Sequence, residues 1–210
     1  MFVKICGITN AADALLAVAM GAEVLGFIFA ESSRQIAPEL AGEIIQQLPY
    51  DVTAVGVFRN QPTEQILEIA SIARLTGVQL HGQEMPGEAA LLRRRVPFLV
   101  QAFAADDPRL TKVDDYDVDA VLLDAPTPGS GEVFDWDLVG TLPHRHRVIL
   151  AGGLTAENVR GAVEAVRPWG VDVASGVEAE PGRKDPVKLR HFINAATDAL
   201  SEFSIDPKHA

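Results

Sequence analysis

The chain opens with the stretch Phe2-Val3-Lys4-Ile5-Cys6-Gly7-Ile8-Thr9-Asn10, in which a short apolar run leads into a turn. The aromatic and β-branched residues of Phe2–Ile5 predict a first strand. In an open, doubly wound sheet, the turn after this strand normally carries a glycine-rich fingerprint for a dinucleotide. Here that turn reads Cys6-Gly7-Ile8-Thr9-Asn10, which disfavours the open sheet and favours a closed barrel.

Further strand-like runs follow at a spacing of roughly 25 residues, with helical patterns between them. Several are apolar almost throughout, as expected for parallel strands covered on both faces. Eight strand and helix units close into a barrel of roughly 200 to 250 residues, and this chain has 210 residues. The sequence therefore predicts one α/β domain, a (β/α)8 barrel over residues 1–203, with a loose tail over 204–210. The predicted strands are Phe2–Ile5, Val24–Phe29, Ala54–Phe58, Gly77–Leu80, Phe98–Ala102, Ala120–Leu123, Val148–Ala151 and Val171–Ala174.

The predicted helices have caps and apolar faces. Asn10 is placed to cap the first helix, and Asp185 the last, where Pro186 takes the first helical position. Thr155 is the predicted cap of the seventh helix. Helices near Pro108 and Asp135 have the weakest patterns. The predicted buried faces are Leu15, Leu16, Ala19 and Met20 in the first helix, Ile66, Ile69, Ala70 and Ala73 in the third, Val159, Ala162, Val163 and Val166 in the seventh, and Leu189, Phe192, Ile193 and Ala196 in the last.

Composition excludes several kinds of partner. The net charge of −11 disfavours DNA and RNA, because phosphate-backbone binding needs a basic surface. One cysteine, Cys6, permits no intramolecular disulfide and is typical of a reducing compartment. The apolar start is too short for a secretory signal, and the apolar stretch 14–30 is interrupted by Glu23. We expect a cytoplasmic protein with no nucleic-acid or membrane partner.

In a barrel of this kind the active site lies at the carboxyl ends of the strands, and the loops after strands seven and eight commonly bind phosphate. Gly152 and Gly153 follow the seventh predicted strand, and Ser175 and Gly176 follow the eighth. Either pair alone is an ordinary turn. Together, at these two loops, they predict a phosphate site, because glycine lets backbone N–H groups approach an anion closely.

A thiol and a carboxyl also follow strands, Cys6 after the first and Asp124 after the sixth. Each has a structural alternative, a small core residue for Cys6 and a loop cap for Asp124. Strand alternation puts Lys4 on the same face as Cys6, where its charge would favour the thiolate of a general base. A partly buried carboxyl suits a general acid, so the pair predicts proton transfer between neighbouring carbons.

Three other polar residues are candidates at the mouth. Arg34 follows the second strand and could bind a substrate carboxylate. His81 ends the fourth strand and could contact substrate or serve a structural role. Asp172 lies inside the eighth strand, where a partner is required, and Lys4 is the expected one. No metal site is expected, because His144 and His146 have no apparent third ligand. Trp136 and Trp169 are predicted to cover the outer helices.

The chain resembles the phosphoribosylanthranilate isomerase family over about residues 2 to 200. The opening hexapeptide and the Asp172–Glu178 run are specific in combination, whereas each other motif alone is weak. The residues that carry the resemblance are Lys4–Thr9, Gly26–Phe29, Ser33-Arg34, Val78–Gly82, Leu123-Asp124, Gly131–Trp136, Gly152–Leu154, Asn158-Val159 and Asp172–Glu178.

The resemblance implies an Amadori rearrangement of N-(5-phosphoribosyl)anthranilate in tryptophan biosynthesis, without cofactor or metal. It implies that Asp124 protonates the ribose ring oxygen and that Cys6 takes the proton from the C2 carbon. It further implies that Arg34 holds the anthranilate carboxylate and that the loops after strands seven and eight hold the phosphate. The chain departs from the family pattern in a shorter glycine run at 128–132, in Ala174 and in a shorter Arg34 loop, which bears on substrate affinity.

Two other functions are alternatives. A different phosphosugar enzyme is one, although an epimerase would require metal-binding histidines and paired carboxylates that the sequence does not show. A barrel that binds a phosphorylated ligand without turning it over is the other, and it would require neither Cys6 nor Asp124. Oligomeric state, monomer or homodimer, does not follow from the residues.

Overall fold

The computed structural model describes residues 2–124 and 146–203. Eight parallel strands form a closed barrel in chain order, and the eighth strand pairs back with the first. The predicted (β/α)8 fold is confirmed, and each predicted strand is present with ends that differ by no more than two residues. The strands are β1 Phe2–Cys6, β2 Val24–Ile28, β3 Thr53–Phe58, β4 Gly77–Leu80, β5 Leu99–Ala104, β6 Ala120–Asp124, β7 Val148–Leu150 and β8 Gly170–Val173.

Helices alternate with these strands and cover the outside of the barrel. The predicted caps of the first and last helices are present: Asn10 Oδ1 accepts a hydrogen bond of 2.9 Å from Asp13 N, and Asp185 Oδ1 accepts one of 2.8 Å from Val187 N. The helices are α1 Ala11–Ala19, α2 Pro38–Ile45, α3 Thr63–Ile72, α4 Pro86–Arg93, α5 Val159–Val166 and α6 Pro186–Phe203, with short 3-10 helices at Pro108–Asp115 and Ser175–Val177.

The predicted buried face of α1 is confirmed only in part, because Leu16 and Met20 are partly buried and pack against the core. Ala14 and Ala17 are fully buried, whereas Leu15 is 41% exposed. Small alanines allow the helix to lie close against the strands, and Leu15 then lies about 100° around the helix from Ala14. The apolar faces predicted for α3, α5 and α6 do pack on the barrel.

The turn before α5 also differs from the prediction. The helix begins at Val159, and Thr155 caps the turn before it, where its Oγ1 accepts a hydrogen bond of 3.3 Å from Glu157 N. The helix predicted near Pro108 is a 3-10 helix. The helix predicted near Asp135, the glycine-containing loop at 128–132 and the tail at 204–210 lie outside the described residues.

The inside of the barrel has its own apolar cluster, which contains Phe2, Val24, Val55, Val100 and Leu122. Trp169 packs on this cluster at the amino ends of the strands, with its ring centroid 4.8 Å from that of Phe2. Trp169 therefore closes the bottom of the barrel, and the prediction that it covers the outer helices is wrong. Trp136 lies outside the described residues.

A hairpin that the sequence did not predict lies between β8 and α6. Its strands are β9 Glu178–Glu180 and β10 Arg183–Lys184. The hairpin contacts the first βα unit, because Thr9 Oγ1 donates a hydrogen bond to the Gly182 carbonyl and Lys184 N donates one to Asp13 Oδ2. In the described ranges, no helix is long and apolar enough to cross a membrane.

Candidate active site

A pocket lies at the carboxyl ends of the strands, where parallel barrels place their active sites. The fold brings the predicted site residues together there, even though they are far apart in the chain. Lys4 lies below the pocket floor and does not line it. The predicted residues that line the pocket are Cys6, Arg34, His81, Asp124, Gly152, Gly153, Asp172, Ser175 and Gly176.

The thiol of Cys6 lies on the side of the pocket formed by β1, β2 and β8. Cys6 pairs with Gly26 in the strand register. A Cβ atom at Gly26 would lie 2.7 Å from Cys6 Sγ and 3.1 Å from Lys4 Nζ, so the absent side chain makes room for both groups. The predicted pair beneath them is present, with Lys4 Nζ 2.8 Å from Asp172 Oδ2.

The ionisation of these groups follows from their burial and their neighbours. Burial by itself lowers the pKa of Lys4, but the charges of Asp172 and Cys6 raise it above its usual value overall. Burial raises the pKa of Cys6, and Lys4 and Lys184 only partly oppose this effect. Lys4 therefore favours the thiolate as the sequence predicts, but the thiol is the favoured form of Cys6 near neutral pH.

The carboxyl of Asp124 ends β6 and is 8% exposed as a residue. His81 lies beside it, with Nε2 3.3 Å from Asp124 Oδ2. The other ring nitrogen, Nδ1, is 3.0 Å from Gln79 Nε2. Because the Gln79 amide donates to Nδ1, the neutral imidazole carries its proton on Nε2, facing the carboxyl. His81 is thus positioned to hold one oxygen of Asp124, a contact that sequence reasoning missed.

The two loops predicted to bind phosphate follow the neighbouring strands β7 and β8, which lie between β6 and β1 in the barrel. Gly152 and Gly153 both have positive φ, 84° and 63°, a conformation that favours glycine. A Cβ atom at Gly176 would lie 2.0 Å from the Leu154 carbonyl oxygen, so the two loops touch at this glycine. Asn158 supports the first loop, because its Nδ2 donates to the Gly153 carbonyl at 2.9 Å.

Arg34 lines the pocket, and its guanidinium is bound by Glu178 of the hairpin. Arg34 Nε and Nη2 donate to the Glu178 carboxylate at 2.9 Å and 2.7 Å. These hydrogen bonds raise the pKa of Arg34 above its usual value. Burial by itself would raise the pKa of Glu178, but Arg34 and Lys184 hold it below its usual value. Both charges are therefore maintained at neutral pH.

No group of histidine, cysteine and acidic side chains suited to a metal ion is found among residues 2–124 and 146–203. His146 Nε2 lies 2.6 Å from Asp114 Oδ1, on a different part of the surface from the pocket. His144 lies outside the described residues.

Comparison with known proteins identifies the family. A family model described as N-(5'phosphoribosyl)anthranilate (PRA) isomerase matches residues 3–195. The chain belongs to this family. As a member it is an isomerase.

Individual members of the family are similar over nearly the whole chain. An N-(5'-phosphoribosyl)anthranilate isomerase of Pelobacter propionicus is 48% identical over 206 residues, which cover 95% of this chain and 97% of that protein. The phosphoribosyl anthranilate isomerase structure from Thermus thermophilus is 44% identical with a TM-score of 0.89, covering 94% of this chain and 99% of that one. A further isomerase structure of the family, in complex with reduced 1-(o-carboxyphenylamino)-1-deoxyribulose 5-phosphate, is 41% identical with a TM-score of 0.84 over 94% of this chain and 99% of that one.

Two residues of the site were missed by sequence reasoning. Glu178 belongs to a motif of the family but was given no role, and Lys184 was not considered. Lys184 is 3% exposed as a residue, and its Nζ lies 3.0 Å from Glu178 Oε1. A lysine in a short, charged segment is normally solvated, so its sequence context contained no signal for burial. The Pro181-Gly182 pair is a turn signal and could have indicated the turn of the hairpin.

Proposed function

We propose that the chain converts N-(5'-phosphoribosyl)anthranilate to 1-(2-carboxyphenylamino)-1-deoxyribulose 5-phosphate, an Amadori rearrangement in tryptophan biosynthesis. The observation that carries this proposal is that one pocket contains a buried thiol on β1, a carboxyl on β6 and two glycine turns after β7 and β8. Acid and base in one pocket suit a reaction that moves a proton between neighbouring carbons.

In the first step, protonated Asp124 gives its proton to the ribose ring oxygen. The bond between that oxygen and C1 breaks, and the nitrogen lone pair forms a Schiff base to C1. The contact of His81 Nε2 with Asp124 Oδ2, at 3.3 Å, supports this role. With Oδ2 held by an N–H donor, the acidic proton is directed to the other oxygen, Oδ1.

In the second step, Cys6 as thiolate removes the proton from C2. The electron pair of the C2–H bond moves toward the positively charged Schiff base and gives an enolamine, which tautomerises to the C2 ketone. The proposal is supported by the Lys4 ammonium, which lowers the pKa of Cys6 against the larger effect of burial. A cation at this position stabilises the thiolate while it acts as base.

Substrate binding uses three further groups. Arg34 would bind the anthranilate carboxylate, and the turns at Gly152-Gly153 and Ser175-Gly176 would bind the phosphate. Asp172 Oδ1 is buried and has no hydrogen-bond partner among the described residues. This oxygen would accept a hydrogen bond from a sugar hydroxyl, since an unpaired buried acceptor is costly. The proposal needs no cofactor, and the assembly as monomer or homodimer stays a prediction.

The test follows the loss of fluorescence of freshly prepared N-(5'-phosphoribosyl)anthranilate. Wild type is compared with Cys6→Ala and Asp124→Ala, each checked for folding by circular dichroism. We expect rapid loss with wild type and a rate lower by at least about 10²-fold with each variant, since general acid–base groups contribute about 10²–10⁴. Folded wild type that binds a phosphosugar without turnover would instead support the non-catalytic barrel.

A further inference from the structure

Lys184 is a buried titratable residue that the proposed mechanism does not use. Its side chain is 0% exposed. Nζ donates to the Cys6 carbonyl at 2.6 Å, to the Ala174 carbonyl at 3.3 Å and to Glu178 Oε1 at 3.0 Å. An ammonium has three N–H donors, and these three acceptors satisfy all of them. Lys184 therefore links the end of β1, the start of the loop after β8 and the hairpin.

Glu178 receives hydrogen bonds from two cations at once. One is Lys184, and the other is Arg34, which contacts both carboxylate oxygens. These contacts use Nε and Nη2 of Arg34, and Nη1 has no hydrogen-bond partner among the described residues. The side chain of Arg34 is 16% exposed, and Arg34 lines the pocket. One edge of the guanidinium is thus fixed by the protein, while Nη1 is available to a ligand.

The path of Arg34 across the mouth depends on its neighbours. A Cβ atom at Gly7 would lie 2.7 Å from Arg34 Cδ, so the stem of the arginine crosses the chain directly after Cys6. An arginine on a loop loses considerable rotamer entropy when it becomes ordered. Because Glu178 already holds the guanidinium in one orientation, most of this entropy is lost on folding and not when a ligand binds.

Charge counting shows why two cations accompany one carboxylate. Arg34 and Glu178 alone would form a neutral pair with little attraction for an anion. Burial lowers the pKa of Lys184 and Glu178 only partly opposes this effect, but the three acceptors around Nζ fit an ammonium. With this ammonium the cluster carries one net positive charge, which matches a single substrate carboxylate. This local charge is needed because the whole chain has a net charge of −11.

We propose that Glu178 is a positioning residue that orients Arg34 for a carboxylate on the aryl group of the substrate, and that Lys184 keeps the cluster cationic. The inference rests on the proposed function and adds to it a determinant of substrate specificity. Glu178 acts through Arg34 and does not contact the reacting atoms.

The test compares two substrates, N-(5'-phosphoribosyl)anthranilate and N-(5'-phosphoribosyl)aniline, which lacks the carboxylate. In Glu178→Gln we expect KM for the first compound to rise about tenfold or more, with kcat changed less than about threefold. For the aniline compound, KM should stay within about twofold, because its recognition does not involve Arg34. A residue that only supports the fold would affect both substrates alike.

Glu180→Gln is the matched control. Glu180 lies on the same strand, β9, and is exposed, with its carboxylate 3.5 Å from Arg183. The chemical change is identical, but the side chain is away from Arg34. Both substrates should keep their wild-type KM in this variant. A KM increase for the carboxylate substrate in Glu180→Gln as large as that in Glu178→Gln would overturn the inference.

Glu178→Gln also leaves the buried Lys184 charge without its anionic partner, which can prevent folding. The double variant Glu178→Gln/Lys184→Met removes both charges and avoids this problem. We expect it to keep the selective KM increase for the carboxylate substrate. Recovery of wild-type KM in the double variant would show that Glu178 serves only to compensate Lys184, and the positioning role would fall.

Wild-type kinetics separate the two proposals. If wild type turns over neither compound, the proposed function fails and this inference fails with it. If wild type turns over the carboxylate substrate and the folded double variant has an unchanged KM, the inference alone is wrong.

Discussion

The two sides of the barrel mouth hold their functional groups by different means. On the thiol side, formed by Cys6, Lys4 and Asp172 together with the Arg34–Glu178–Lys184 cluster, the positions are determined by buried ion pairs. On the carboxyl side, the His81 imidazole contacts Asp124 and is itself held by the Gln79 amide, and the His81 side chain is 25% exposed. A substitution on the thiol side is therefore expected to lower both activity and the free energy of unfolding. A substitution on the carboxyl side is expected to lower activity mainly.

The largest expected effect comes from breaking the buried pair on the thiol side. Asp172→Asn leaves the Lys4 ammonium buried without its partner, and we expect the free energy of unfolding to fall by about 3–5 kcal/mol. Urea denaturation at neutral pH measures this. The double variant Lys4→Met/Asp172→Asn has no buried charge at this position and should recover most of the loss. A loss under about 1 kcal/mol in Asp172→Asn would remove the contrast between the two sides.

The carboxyl side should respond in activity and hardly in stability. His81→Asn removes the N–H group that faces Asp124 Oδ2, and we expect kcat/KM to fall by about 10- to 100-fold, less than in Asp124→Ala. The free energy of unfolding should change by less than about 1.5 kcal/mol, because a single, partly exposed hydrogen bond is lost. Fluorescence-based kinetics and urea denaturation of the same preparation test both statements. A stability loss as large as that of Asp172→Asn would contradict the comparison.

A smaller effect is expected in the pH dependence of Cys6 alkylation, which is measured without substrate. Because burial raises the pKa of Cys6, its alkylation by iodoacetamide should be slow at pH 7 and should still be rising with pH where an ordinary thiol has levelled off. Cys6 is the single cysteine of the chain, so the mass increase reports on it alone. Limited access slows the reaction at every pH but leaves the shape of the profile unchanged.

The control for this profile is Lys4→Met. Lys4 lowers the pKa of Cys6, so its removal should shift the rise of the alkylation rate to higher pH. A profile that levels off near pH 7 in wild type would show a stable thiolate in the free protein, and burial would then not be the dominant cause.

The smallest effect is expected from an ion pair outside the mouth. Arg160 Nη1 lies 3.0 Å from Glu202 Oε1, and both side chains are about half exposed. We expect Arg160→Ala to lower the free energy of unfolding far less than Asp172→Asn does, because solvent screens an exposed pair. Urea denaturation of Arg160→Ala and Asp172→Asn under the same conditions compares the loss for an exposed ion pair with the loss for a buried one. Similar losses of unfolding free energy in the two variants would show that the loss does not depend on whether the ion pair is buried.

Much of the fold could be predicted from local pattern. Apolar runs such as Ala120–Leu123 indicate strands covered on both faces, and the caps at Asn10 and Asp185 mark helix starts through bonds within a few residues. The exposed Leu15 could not be predicted, because composition along α1 favours burying a leucine. The distance between helix and barrel decided that two alanines are buried there instead.

The candidate site divides in the same way. Cys6, Asp124 and the turns at Gly152 and Ser175 could be singled out because each lies at or just after the end of a strand, and all strands of a parallel barrel end at one face. The contacts of His81 with Asp124 and of Arg34 with Glu178 join residues 43 and 144 positions apart, and no local pattern encodes such pairs.

The sequence by itself determined the element order, the closed parallel barrel and the face on which the site lies, since these follow from periodicity and from residues next to one another. Tertiary structure alone decided that Cys6 is more strongly affected by burial than by Lys4, and that a hairpin brings Lys184 beneath the mouth. Both outcomes depend on burial and on charges that meet across the fold, quantities that exist only after the chain has closed into a barrel.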